Sequence, residues 1–195
     1  MKYETLTKER VLDKIGFASI LNVHGKNEEG ETPLHIASNK GQTELVASLI
    51  ESGAELNSSS NLGYTALHYA ASQCNKEIVR ILIDNGANIN SESNFGYTPL
   101  HYAVNYCNVD IAKMLIDKGA NVNIRNIFGN TPLHCVAALG KMEAVRLLIE
   151  NGASLYLEDE AEYNALQLAR NSGYTEVAAI LENAMEKSHL CHQRF

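Results

Sequence analysis

No apolar run in the sequence approaches the roughly 20 residues that a membrane helix requires, and Met1 to Lys14 is too charged for a secretory leader. Membrane insertion and export are therefore not expected, and the expected compartment is a cytoplasm. Basic residues are in the minority: 16 Lys and Arg stand against 23 Asp and Glu, a net charge of -7. That balance repels polyphosphate, so neither nucleic acid nor an anionic membrane is an expected partner. The cysteines, Cys74, Cys107, Cys135 and Cys191, show no paired spacing, which argues against a disulfide framework and fits a reducing compartment. The sequence also lacks a phosphate-binding Gly-rich loop, an HExxH helix and a GxSxG elbow. What it does have is 45% hydrophobic residues in 195, enough to fill the core of one domain or of an elongated array, which argues against disorder.

That apolar content is arranged in a repeat. Gly30-Glu31-Thr32-Pro33-Leu34-His35-Ile36-Ala37 is followed at steps of 33 residues by Gly63-Tyr64-Thr65-Ala66-Leu67-His68-Tyr69-Ala70, then by Gly96-Tyr97-Thr98-Pro99-Leu100-His101-Tyr102-Ala103, and then by Gly129-Asn130-Thr131-Pro132-Leu133-His134-Cys135-Val136. A second series, Gly53-Ala54, Gly86-Ala87, Gly119-Ala120 and Gly152-Ala153, keeps the same step, so no insertion or deletion interrupts the array. Pro33, Pro99 and Pro132, all the prolines there are, each follow a threonine. Threonine caps a helix and proline fits its first position, where the missing N–H would be unpaired anyway. A second helix follows a short break, with an acid near its start in each unit: Glu44, Glu77, Asp110, Glu143 and Glu176. The positive end of the helix dipole favours them there. Gly53, Gly86, Gly119 and Gly152 end this second helix in the left-handed conformation. A single such helix pair cannot hide its own apolar face, so the units must stack. The period and the T-P-L-H-x-A pattern resemble the ankyrin-repeat family over residues 27–186.

The resemblance implies an all-α ankyrin solenoid: stacked helix-turn-helix units with β-hairpin or loop tips and a concave inner face. It implies an N-terminal helical cap or degenerate half-repeat over 1–26, and four repeats over 27–59, 60–92, 93–125 and 126–158. A terminal capping repeat over 159–186 and a tail over 187–195 complete the chain. Before Gly30, Thr7 to Gly16 can form a helix and Leu21-Asn22-Val23-His24 resembles a hairpin tail. In the capping repeat Glu162 replaces the glycine, Asn164 the threonine, Ala165 the proline and Gln167 the histidine. The tail has no counterpart in the pattern and is expected to fray.

Several residues imitate chemistry. His35, His68, His101 and His134 form a series, but equivalent positions on stacked helices lie roughly 8–10 Å apart, whereas the ligands of one zinc sit about 2 Å from it. In the family this histidine ties its turn to neighbouring loops, and that structural role is expected here. Cys74 and Cys107 take the place of Gly41, Gly140 and Gly173 between the two helices, followed by the potential caps Asn75 and Asn108. One repeat apart, they are expected beyond the roughly 7 Å Cα limit of a disulfide. His189, Cys191 and His192 crowd three ligands into four residues of the tail, a poor match to zinc-site spacings. Asn57-Ser58-Ser59 is a glycosylation sequon that should stay unmodified without export. Asn57, Asn90 and Asn123 match the family's hairpin asparagine, which can be hydroxylated; bracing the hairpin is its first role. No cofactor, metal or catalytic residue is expected.

Function should lie in the variable positions at the hairpin tips and along the inner helices. Carried over from the family, these are Glu28, Glu29 and Glu31, then Asn61, Leu62, Tyr64, Ser72, Gln73 and Glu92. Asn94, Phe95, Tyr97, Asn105, Tyr106 and Arg125 follow, and then Ile127, Phe128, Asn130, Ala138, Leu139 and Glu158. Leu62, Phe95 and Phe128 are in register directly before their glycines, with Tyr64, Tyr97, Tyr106 and Ile127 close by. They form an apolar stripe where polar residues are common, and exposed apolar surface of this kind marks interfaces. The candidate protein-binding residues are therefore Leu62, Tyr64, Asn94, Phe95, Tyr97, Asn105, Tyr106, Arg125, Ile127, Phe128, Asn130 and Leu139. The opposing reading is that these side chains cover one another along the hairpins. A non-catalytic module binding a partner protein is expected, acting as a monomer, with self-association through the stripe and a metal or enzymatic role as the alternatives. The asparagine-rich, lysine-containing composition resembles ankyrin proteins of AT-rich genomes, including those of intracellular bacteria and large viruses that act on host proteins. This implies an effector or adaptor in a host-cell cytoplasm.

Overall fold

A computed structural model describes residues 22–106 and 109–192. The helix expected over Thr7 to Gly16, together with Leu21, Cys107, Asn108 and residues 193–195, lies outside the described residues. Among the described residues there are ten helices and no strands. They form five pairs: α1 Pro33–Asn39 with α2 Thr43–Glu51, α3 Ala66–Ser72 with α4 Lys76–Asp84, α5 Pro99–Tyr106 with α6 Val109–Asp117, α7 Pro132–Ala138 with α8 Met142–Glu150, and α9 Ala165–Asn171 with α10 Thr175–His192.

The first helix of each pair starts where the sequence places it. Thr32, Thr65 and Thr131 cap α1, α3 and α7 through reciprocal boxes with the histidine three residues on. Asn164 and Gln167 build the same box at α9 with different side chains. The second helices carry their predicted acids in the first turn, and the Asn75 side chain accepts from the Ile78 N–H at 3.1 Å to cap α4.

The core is a repeated set of side chains. Leu34, Leu67, Leu100 and Leu133 from the first helices are fully buried, as are Val46, Val79, Ala112 and Val145 from the second. Leu49, Leu82, Leu115, Leu148 and Leu181 complete the seam. The short first helices pack on one another more densely than the longer second helices do.

Units are joined by tight turns without strand pairing. Each turn is closed by two backbone bonds, as in Ser60 N–H to Tyr64 O and Gly63 N–H to Ser60 O, both at 2.9 Å, and Ser93 N–H to Tyr97 O at 2.9 Å with Gly96 N–H to Ser93 O at 2.8 Å. The expected asparagine braces are present. Asn57 Oδ1 accepts from the Asn88 N–H, Asn90 Oδ1 from the Asn121 N–H and Asn123 Oδ1 from the Ser154 N–H, each at 2.8 Å.

Two expectations need correction. Residues 187–192, expected to have no place in the repeat, continue α10 as one helix to His192, and Tyr156 meets this extension by a 2.7 Å bond to Ser188 Oγ and ring contact with His189. Cys74, in the left-handed conformation with φ 59°, is disulfide-bonded. The expectation of unpaired thiols rested on the spacing of helix axes, which does not bound the approach of turn residues. Cys135 is a free thiol.

Candidate functional site

The hairpin tips form a row joined by backbone hydrogen bonds. The Asn61 N–H donates to Glu29 O (2.9 Å), Asn94 to Leu62 O (3.0 Å), Ile127 to Phe95 O (3.1 Å) and Glu160 to Phe128 O (3.0 Å). Side chains double the ladder: Asn61 Nδ2 donates to Glu28 O and Asn94 Nδ2 to Asn61 O. Tips joined in this way are fixed relative to one another before any partner arrives, which lowers the ordering cost of binding.

From this row Leu62, Phe95, Ile127 and Phe128 project with 51, 42, 55 and 52% of their surface exposed. About half of each side chain thus stays in contact with water. Tyr106 and Leu139, near the ends of α5 and α7, are also exposed. Tyr64 and Tyr97 behave differently, since both turn inward and are half-buried. Tyr64 accepts the Tyr102 hydroxyl proton at 2.9 Å and meets the rings of His68, Tyr69 and Tyr102 within 5.8 Å. Tyr97 contacts His101 and Tyr102, and Tyr106 stacks on Tyr102. Burial, followed by the bond to Tyr64, holds the Tyr102 phenol well above its ordinary pKa. At its first end, Tyr69 donates to Glu31 Oε1 at 2.6 Å.

The remaining candidates are largely structural. Arg125 donates to Gly129 O and Glu158 O and pairs with Glu160 at 3.6 Å. Asn94 is exposed but belongs to the ladder, and the carbonyl of Asn130 accepts from His101. Half-buried Asn105 offers its carbonyl to Lys141 Nζ at 2.5 Å. Tyr69 and Tyr102 were missed by the sequence reading because they sit inside the T-P-L-H-x-A stretch, at positions assigned to the scaffold. Their pairing with Tyr64 and Tyr97 at a fixed offset in two successive units was the available signal.

The histidine series is tied up in the same way in each unit. Nδ1 of His35, His68, His101 and His134 accepts from the backbone N–H of its own capping threonine at 3.0–3.1 Å. Nε2 therefore carries the proton and donates to the next loop, at Tyr64 O, Tyr97 O, Asn130 O and Leu157 O. With both ring nitrogens engaged, none of the four has a lone pair left for a metal or a substrate proton. Among the described residues no group of three His, Cys, Asp or Glu side chains could hold a metal ion. A groove of about 930 Å³ lies elsewhere, between α8 and α10, lined by Met142, Ile149, Ile180 and Ala184 among others.

The family model for ankyrin repeats (3 copies) matches residues 11–93, 54–126 and 121–189. The chain is an ankyrin-repeat protein. No curated protein matches it. Ankyrin repeats generally mediate protein–protein interaction, and among the described residues of this one no helix is long and apolar enough to cross a membrane. In the ankyrin array Cys135 takes the place held by Tyr69 and Tyr102 in the preceding units, and burial pushes its thiol up to about 11. Two pKa units separate this from an ordinary thiol at 9.0, so Cys135 should alkylate roughly 100-fold more slowly than a free cysteine at pH 8. Peptide mass spectrometry after timed iodoacetamide treatment measures this, and alkylation at the free-cysteine rate would contradict the half-buried placement of Cys135.

Proposed function

We propose that this ankyrin-repeat protein is a non-catalytic module that binds a partner protein along its hairpin tips and adjoining inner face. The observation that carries the reading is the in-register exposure of Leu62, Phe95 and Phe128 on three consecutive, hydrogen-bonded tips. Apolar side chains held apart on a rigid row and left in water are the arrangement that a partner's apolar side chains can cover. The inner tyrosines and Tyr106 continue this surface from the tips towards the helices. The composition supports a host-directed effector or adaptor in a host-cell cytoplasm, and the acidic outer tips favour a monomer.

The test is the double variant Phe95→Asp with Phe128→Asp. Both side chains are half exposed, so the circular dichroism and melting temperature should change little. Capture of partner proteins from candidate host lysate should be lost, because two charges would be buried without partners. Capture equal to wild type would reject the tip row as the binding surface. Self-association through the same row would appear as a concentration-dependent mass in light scattering, and a constant monomer mass would dismiss it.

A further inference from the structure

The five tips differ in a graded way. At the position before the tip glycine the chain carries Glu29, Leu62, Phe95, Phe128 and Ala161, and one residue earlier Glu28, Asn61, Asn94, Ile127 and Glu160. The glycine itself is replaced in the fifth unit by Glu162, which is exposed and in the left-handed conformation with φ 64°. At these two positions the middle three tips are therefore apolar or amide, and the charge beside them, Arg125 at the fourth tip, is bonded to Gly129 O and Glu158 O. The outer two carry Glu28 and Glu29 at one end and Glu160 and Glu162 at the other, all exposed, with Glu160 paired to Arg125 at 3.6 Å and Glu162 the further acid of that end. The backbone ladder joins all five, so the acids stand at fixed distances on either side of the apolar centre.

We propose that the row takes a polypeptide segment with an apolar middle and basic residues at both ends. This rests on the tip row being the binding surface and adds the chemistry of its occupant. Four steps of roughly 8–10 Å separate the outer tips, which an extended chain at about 3.3 Å per residue spans in some 10 to 12 residues. Lysines or arginines that far apart would meet the two acidic tips while the apolar residues between them cover Leu62, Phe95 and Phe128. Charge complementarity at the rim of an apolar patch raises the association rate and rejects wrong partners. A second copy of this chain is a poor occupant, because two rows laid face to face bring acid onto acid in either orientation. Nucleic acid meets the same repulsion at both ends.

A random peptide library of 16 residues, displayed and selected on the wild-type chain, tests this. Selected peptides should be enriched in Lys and Arg at both ends and in apolar residues between them. A peptide from the selection should lose affinity with rising salt. It should bind at least 10-fold more weakly to the variant Glu28→Lys, Glu29→Lys, Glu160→Lys, Glu162→Lys. The corresponding Gln variant, free of any new repulsion within the chain, should lie between that variant and wild type. Peptides without basic ends, or equal affinity for wild type and the Gln and Lys variants, would overturn the charge proposal. It would leave the binding surface standing provided that Phe95→Asp with Phe128→Asp still abolishes binding. Peptides that bind this double variant as well as wild type would overturn both readings, as would a library that yields no binder.

Discussion

At pH 5 the folded array should be about 4 kcal/mol less stable than at pH 7, with a matching fall in its urea midpoint. The cause is the buried histidine series. His68 and His101 are lowered from 6.5 to about 4, first by burial, and the geometry gives a second reason. A proton added at Nδ1 would face the threonine N–H that Nδ1 now accepts. The unfolded chain takes up these protons as the pH falls through 6.5, whereas the folded chain resists until about pH 4. Stability is thus complete above pH 6.5, declines between 6.5 and 4, and levels off below. At pH 5 the difference is on the order of 2 kcal/mol for each of the two residues. His35 and His134 are shifted in the same direction, also chiefly by burial. The chain contains its own control in Gln167, whose Oε1 accepts from the Asn164 N–H at 2.8 Å and does not titrate. A variant with His68→Gln and His101→Gln should lose most of the pH dependence between 7 and 5. Urea titrations at both pH values decide the matter, and an unchanged pH slope in that variant would refute the assignment.

Gly63→Ala should cost about 3 kcal/mol and Gly86→Ala about 1. Both glycines have positive φ, 79° and 93°, so both substitutions incur the left-handed penalty. At Gly86 a new Cβ would meet nothing within 4 Å. At Gly63 it would lie 2.5 Å from the Asn94 backbone nitrogen and 3.0 Å from the Ser93 carbonyl carbon. That contact is with the neighbouring tip, so relief requires the two tips to part and breaks the bond from the Asn94 N–H to Leu62 O. Thermal or urea unfolding of the two variants compares the effects. Equal losses would show that the tips are not in rigid contact.

How much of this was legible depends on whether a feature repeats. Two motif series in the same register fixed the helix starts, the glycine ends and the stacking, because each unit offers the same local chemistry: a threonine cap, a histidine or glutamine at N3, and a left-handed stop. The same register placed Leu62, Phe95 and Phe128 side by side before their glycines but left open whether they cover one another, and only the structure gives their exposure. The inward turn of Tyr64 and Tyr97 did not follow from the register, since it depends on ring contacts with Tyr69 and Tyr102 of their own units and, for Tyr64, on Tyr102 reaching across from the next unit, contacts between side chains that no spacing rule encodes. The helical extension to His192 lies where the period has stopped, and its contact, Tyr156 on Ser188, pairs one unit's loop with a segment that has no counterpart elsewhere. The disulfide at Cys74 has no signal in the repeat, and the helix spacing from which it was judged is too coarse to decide it.

The central claim is that the apolar tips of the middle units are the surface a partner covers. Titrating the ¹⁵N-labelled chain with a library-selected peptide and following amide shifts by NMR tests it most directly. The account predicts that the largest changes fall on Leu62, Asn94, Phe95, Ile127 and Phe128. Changes concentrated instead on Met142, Ile149, Ile180 and Ala184, around the groove between the outer helices, would contradict it.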